Sequence, residues 1–206
     1  MKKYLMEFIG AFFLVLTVGL CVIEPGAGAM APLAIGAVLM VMVYAGGHIS
    51  GAHYNPAVTL AVWLRGKCDA KDVAPYMVAQ VLAAVLAATL VKTFKGGSMI
   101  VAMEPNVTLA LVAEMIFTFA LAFVVLSVAT NPKTDGNSYF GLAIGFTLAV
   151  GIYAAGGVSG GAFNPAVAIG ITLMGLSKVS SLWIFLAANF AGGALAAIVY
   201  KGLNGK

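Results

Sequence analysis

Gly51-Ala52-His53-Tyr54-Asn55-Pro56-Ala57-Val58-Thr59 and Gly160-Gly161-Ala162-Phe163-Asn164-Pro165-Ala166-Val167-Ala168 are the two stretches on which the reading of this chain turns. Each places a helix-start signal, Asn-Pro-Ala, inside apolar sequence. Asn caps free N–H groups with its side-chain oxygen, and Pro suits the first helical position because its missing N–H would have no partner there. A helix that crosses a bilayer starts in water, so a start within an apolar stretch implies a half-helix that begins at membrane depth. Two such starts imply two half-helices that meet there, with the Asn side chains facing a lumen.

Composition sets the class around these motifs. The chain is 62% hydrophobic and only 9% charged, which fits a polytopic membrane protein and not a soluble domain. Its 206 residues hold about six spans of roughly 20 residues with short loops, leaving nothing for a soluble domain. The net charge of +4 reflects lysines at membrane boundaries and is no sign of a nucleic-acid partner. Lys2-Lys3 ahead of an apolar run resembles a signal peptide, but Glu7 within the run makes this segment the first span. Cys21 and Cys68 fall at opposite faces in this layout, too far apart to pair.

Apolar runs predict spans over 4–23, 30–47, 73–92, 107–130, 138–156 and 179–201, with half-helices over 55–65 and 164–174. Glu24-Pro25-Gly26, Asn131-Pro132 and Asp135-Gly136 supply the breaks. The segment 65–72 carries five charges and is expected to lie in water. The short loop over 93–106, with two glycines, is expected to leave the outer vestibule open. With the N-terminus inside, Lys2, Lys3, Arg65, Lys67, Lys71, Lys133, Lys201 and Lys206 are cytoplasmic and Lys92, Lys95 and Lys178 external. Eight against three supports that orientation, with both termini cytoplasmic and the cell membrane as location.

The chain also repeats itself. Glu7-Phe8-Ile9-Gly10 is echoed by Glu114-Met115-Ile116-Phe117, and 46–58 by 156–167 with one deletion, at offsets of 107 and 109 residues. The first half, 1–95, and the second, 107–206, carry three spans each. An odd number inverts the second half relative to the first, and together they form one pore domain. A half-helix of about ten residues reaches roughly 15 Å, half the hydrocarbon thickness, so the two meet near the midplane.

With these residues in view, the chain resembles the aquaporin (major intrinsic protein) family over nearly its whole length. The likeness rests on Glu7 and Glu114, on 47–59, on Ala79-Gln80 and on 159–166. It implies an all-α integral membrane protein with six transmembrane helices and two re-entrant half-helices. This aquaporin-like inverted repeat surrounds one pore per subunit, in a homotetramer embedded in the lipid bilayer. It implies no cofactor, and Glu7 and Glu114 would hydrogen-bond the re-entrant loops.

Physics supplies a mechanism beside that resemblance. The loops before each Asn can run extended, turning the carbonyls of Gly51, Ala52, His53 and Tyr54, and of Gly160, Ala162 and Phe163, to one side. Such backbone is tolerable at membrane depth where it lines a wet cavity. Asn55 and Asn164 interrupt this file of acceptors with amide donors at the pore centre. Each half-helix start carries roughly half a positive charge, so two converging starts repel cations and leave neutral solutes unaffected. His48 and His53 are expected to pack or hydrogen-bond beside the pore, because no third ligand for a metal lies near them. Gln80 and Asn189 read as interhelical contacts. No nucleophile–base set is found, so the chain is not an enzyme.

One position departs from what the resemblance implies. Most relatives resembling this chain place Arg three residues after the second Asn, in a narrow selectivity constriction; here the residue is Val167. The same spacing carries the other constriction positions to Ile35, Ile152 and Gly161, so the expected filter is entirely non-polar. The only Arg in the chain, Arg65, sits at the far end of the first half-helix. Losing Arg removes a fixed charge and up to five donors. The expectation is a passive channel for water and small neutral solutes of the glycerol, urea and hydrogen peroxide class. Two alternatives stand beside it: a dry apolar plug, and a secondary active transporter built from inverted repeats and broken helices.

Overall fold

The computed structural model describes residues 1–204. Lys206, counted above with the cytoplasmic lysines, lies outside them. Eight α-helices follow one another: α1 Lys2–Val22, α2 Ala31–Ser50, α3 Pro56–Leu64, α4 Ala70–Phe94, α5 Val107–Ala129, α6 Phe140–Ser159, α7 Pro165–Met174 and α8 Leu182–Asn204. Six of them, all but α3 and α7, are long and apolar enough to cross a membrane.

Three local features place the half-helices. Both α2 and α6 run three residues beyond their expected ends, through the glycine pairs Gly46-Gly47 and Gly156-Gly157. They stop where Gly51 (φ +85) and Gly160 (φ +98) take the left-handed conformation that ends helices. A short extended loop follows, and Asn55 or Asn164 restarts the chain as a helix. Each Asn has β-region backbone, and its Oδ1 accepts from the next helical N–H groups, of Ala57 and Val58 or of Ala166 and Val167. Ser50 and Ser159 close α2 and α6 at the same place in the two halves, so the repeat runs at a constant offset of 109 here. The deletion expected between them is absent, because Gly46 corresponds to Ala155.

The two halves interlock. Helix α3, from the first half, packs on α8 of the second, and α7 packs on α4 and α1 of the first. Close approach depends on missing side chains. A Cβ on Gly193 would lie 2.5 Å from the Ala57 carbonyl, and one on Gly170 would lie 2.5 Å from Val15. Between α2 and α6, a Cβ on Gly36 would lie 2.5 Å from the Gly145 carbonyl and one on Gly145 equally close to the Gly36 carbonyl. Small residues let apolar helices meet in lipid, where dispersion rather than water exclusion draws them together.

The helix order puts Lys2, Lys3, Arg65, Lys67, Lys71, Lys133 and Lys201 on the face that carries the N-terminus, here the terminal face. Lys92, Lys95 and Lys178 lie on the opposite face. One expectation fails at these ends. Asp72 does not lie in water: it is 5% exposed, paired with Lys3 and bonded by the Tyr4 hydroxyl at 2.7 Å. The first turns of α1 and α4 pack side by side, which a linear count of charges does not reveal. The 93–106 loop is tied down at several points. Lys95 donates to the Pro25 carbonyl, Ser98 Oγ to the Glu24 carbonyl at 2.8 Å and Met103 N to the Leu176 carbonyl at 2.9 Å, and Lys178 pairs with Glu104. The Met103 sulfur stands 3.7 Å from where a Gly160 Cβ would be, so the loop reaches the mouth beside Gly160.

Candidate functional site

A buried carboxylate supports each re-entrant loop. Glu7 Oε1 accepts from Ser50 Oγ (2.7 Å) and His53 N (2.9 Å), and its Oε2 from Tyr54 N (2.7 Å) and Gln80 Nε2 (2.8 Å). Glu114 repeats the pattern: Oε1 accepts from Ser159 Oγ (2.7 Å) and Ala162 N (3.0 Å), and Oε2 from Phe163 N (2.7 Å). The amide of Asn189, oriented to suit its neighbours, donates to Glu114 Oε2 at 3.0 Å and accepts from Asn164 N at 2.8 Å. Both glutamates are fully buried, and each satisfies two N–H groups of a loop that has no sheet or helix partners of its own. Ala52, Tyr54 and Phe163 are held at positive φ, +53, +51 and +47, a conformation that non-glycine residues adopt only when surrounding contacts enforce it.

The two Asn side chains clasp each other's loops. Asn55 Nδ2 donates to the Phe163 carbonyl and Asn164 Nδ2 to the Tyr54 carbonyl, both at 2.9 Å. Each Oδ1 is spent on its own half-helix start. An Asn amide has two N–H donors, so each keeps one for the lumen. The carbonyls of Tyr54 and Phe163, expected as acceptors for solute, are therefore already engaged by the opposite Asn. The rings also turn away from the lumen. Tyr54 donates its hydroxyl to the Met42 carbonyl at 3.0 Å, and Phe163 packs on Phe117.

A lumen of about 50 Å³ runs through this centre. Asn55, Asn164, Ala52, His53, Tyr54, Gly160, Gly161 and Ala162 line it, as do Ile35, Ile152 and Val167, so the four expected filter positions face one space. Gly51 lies instead on a wider vestibule of about 680 Å³ at the terminal face, which is also bordered by Lys67, Asp135 and the 131–137 loop. Phe163 lines neither space. His48 departs from expectation: it is exposed and borders neither space. His53 is 7% exposed, with Nδ1 3.1 Å from Thr59 Oγ1 and its ring edge-on to Tyr76.

Two capped half-helices, four carbonyl-rich loop residues on each side and paired buried glutamates form one assembly around a pore. The family model described as Major intrinsic protein matches residues 1–200. The chain belongs to the major intrinsic protein family. It is 38% identical to Aquaporin NIP1-4 of Oryza sativa subsp. japonica over 210 residues, which cover 98% of this chain and 76% of that protein. It is 39% identical to Glycerol uptake facilitator protein-like 6 of Lactiplantibacillus plantarum over 208 residues, covering 96% and 95%. Its fold matches the X-ray structure of the aquaglyceroporin from Plasmodium falciparum with a TM-score of 0.77, over 97% of this chain and 94% of that one, at 22% identity. As a major intrinsic protein it is an integral, multi-pass membrane channel. It conducts passively and is not an enzyme.

Sequence reasoning missed most of the apolar wall of this major intrinsic protein. Leu14, Val18 and Val22 on α1, and Ile144, Leu148 and Ile152 on α6, face the lumen at four-residue spacing. Leu121 and Val125 on α5, and Ile35 and Leu39 on α2, are their counterparts in the other half. The spacing was present in the sequence, but a helix that is apolar all round gives no sign of which stripe meets water and which meets lipid.

Proposed function

We propose that this channel passes water together with small neutral solutes of the glycerol, urea and hydrogen peroxide class. The observation that carries the reading is Val167: with Ile35, Ile152 and Gly161 it presents a ring to the lumen without a charge or a side-chain hydrogen-bond donor. An Arg at this position would fill the passage and bind any solute with carbonyl or hydroxyl acceptors. Without it the ring is wider and non-polar, and charge exclusion falls to the centre. There the starts of α3 and α7 converge, and Asn55 and Asn164 point their remaining N–H groups inward. The likeness to a glycerol uptake facilitator-like protein and to a plant aquaporin supports this mixed solute range.

Residues 1–95 and 107–206 act as two oppositely inserted halves of one pore, supported by the matching bonds at Glu7 and Glu114. Both termini face the cytoplasm of a cell whose plasma membrane holds the protein, supported by the lysines gathered on the terminal face. Four copies associate, each with its own pore. Stopped-flow light scattering on vesicles reconstituted with the purified protein tests the channel: osmotic water flux and glycerol uptake should both exceed those of empty vesicles. A water flux equal to that of empty vesicles would leave Ile35, Ile152 and Val167 as a dry plug and end this reading.

A further inference from the structure

Met103 and Ser177 pair as a single parallel β-bridge on the face opposite the termini, where the 93–106 loop is tied to the end of α7. The Met103 N–H donates to the Leu176 carbonyl at 2.9 Å, and the ion pair of Lys178 with Glu104 fastens the next residues. Residues paired in this way turn their side chains to the same side. Two observations meet there. The sulfur of half-buried Met103 stands 3.7 Å from where a Gly160 Cβ would be, and Gly160 lines the lumen. Ser177 is 5% exposed, and its Oγ has no hydrogen-bond partner among the described residues. We propose that Met103 is a peroxide-modification site at the outer mouth, and that its sulfoxide, held by the Ser177 hydroxyl, throttles the channel. The proposal rests on the channel reading above and supplies a regulation for it.

The reduced side chain leaves Ser177 unsatisfied. A thioether is unbranched, flexible and only a weak acceptor, so it swings aside for a passing solute and offers the buried hydroxyl little. Hydrogen peroxide, one of the solutes proposed for this channel, brings the oxidant to the mouth itself. The sulfur lone pair attacks one peroxide oxygen, an S–O bond forms and the O–O bond breaks; the departing hydroxide takes the proton of the transferred oxygen and leaves as water. Sulfur loses two electrons and peroxide gains them. The product is a polar group with an acceptor oxygen, and methionine sulfoxide reductases return it to the thioether.

The Ser177 hydroxyl is the unused donor on the same side of the bridge. Its bond to the sulfoxide satisfies both groups and pins a side chain that was free to move. The backbone beneath is already fixed by the Leu176 contact, so the pinned group stays beside Gly160, on the side of the mouth that glycine leaves bare. Each glycerol-sized solute must then break that bond to push the side chain away. This slows entry roughly fivefold, the worth of one neutral hydrogen bond. Water, which passes in single file, is slowed less. The loop at the other mouth, 131–137, contains neither methionine nor cysteine, so the response belongs to one face.

The test treats purified wild type, Met103→Leu and Ser177→Ala with hydrogen peroxide in detergent. Dithiothreitol then reverses oxidation of Cys21 and Cys68 but not of methionine. Half of each sample passes through methionine sulfoxide reductases of both epimer specificities before reconstitution, and water and glycerol fluxes are read by stopped-flow. Peptide mass spectrometry scores one added oxygen at Met103, with Met99, 91% exposed, as the comparison. Oxidised wild type should lose glycerol permeability roughly fivefold and regain it after the reductases. Met103→Leu should not respond to peroxide. Ser177→Ala should be oxidised at Met103 to the same extent yet keep its glycerol flux, which separates the pinning from mere added bulk. The reductase comparison uses the native sequence and decides even where a variant fails to fold. No added oxygen at Met103 while Met99 is oxidised, or an oxidised Met103 with unchanged glycerol flux in a conducting protein, overturns the proposal and leaves the channel intact. An untreated wild type silent to water and glycerol would instead refute the channel reading, and the regulation with it.

Discussion

Gln80 and Asn189 stand 109 residues apart and make the same bond, each donating a side-chain amide to the buried glutamate of its own half, Gln80 to Glu7 at 2.8 Å and Asn189 to Glu114 at 3.0 Å. They differ in their second contact. Asn189 also accepts from the Asn164 backbone N–H, tying the support directly to the half-helix start. Gln80, one methylene longer, reaches Thr59, and its Oε1 has no partner. The second loop is therefore bound more tightly to its own cap than the first.

Removing one of these glutamates should be costly. Glu114→Ala strands the N–H groups of Ala162 and Phe163 at full burial, and each unsatisfied group costs about 1–3 kcal/mol. Glu114→Gln keeps one acceptor oxygen and should fall between wild type and Glu114→Ala. Thermal unfolding in detergent, followed by tryptophan fluorescence, should rank the three in that order. Equal midpoints for wild type and Glu114→Ala would mean that the loop does not depend on the carboxylate.

Gly36 and Gly145 predict a sharp contrast with another glycine of the same helix. Any side chain at either position meets the partner's carbonyl at 2.5 Å, so Gly145→Val must push α2 and α6 apart. Overpacking of this kind costs about 1–3 kcal/mol or more. Gly157, also in α6, has open space where its Cβ would be. Gly157→Ala should be neutral or stabilise the helix by roughly 0.5–1 kcal/mol. Monodispersity on size exclusion together with unfolding midpoints separates the two; similar behaviour would show that the α2–α6 approach is not tight.

Much of this architecture is legible in the residue order because helix starts and charges are local signals. Asn-Pro at 55 and 164 announces each half-helix, and apolar runs announce the spans to within a few residues. What depends on how surfaces meet is not local. Gly46-Gly47 looks like a helix end, yet the end falls at Gly51, where the chain needs a left-handed turn to drop into the pore. Asp72 counts as a loop charge until α1 brings Lys3 and Tyr4 against it. The clasp of Asn55 on Phe163 spans 108 residues and depends on the depth to which two half-helices insert, a quantity without a sequence signature.

The clasp has its own test. Asn164→Asp keeps the oxygen that caps Ala166 and Val167 but removes the donor to the Tyr54 carbonyl, and it sets a negative charge where two half-helix starts converge. The positive field that repels cations is thereby offset. Ion conductance across planar bilayers should appear in Asn164→Asp while wild type stays silent. Silence in both, with water flux retained, would place charge exclusion elsewhere in the pore.

Val167→Arg tests the outer ring in the opposite sense, by adding what the chain lacks. The Val167 backbone is set by its N–H, 3.4 Å from Asn164 Oδ1, and its side chain already faces the lumen, so an Arg would project among Ile35, Ile152 and Gly161. The new group narrows the passage and supplies up to five donors. Water, which needs only a single file, should lose little. Glycerol should lose on the order of tenfold relative to water, the scale on which pockets reject one group too many. Stopped-flow measurements of both solutes on the same vesicles check the ratio. An unchanged ratio would mean that the side chain at 167 does not stand in the solute path, and that the apolar ring lies at another level of the pore.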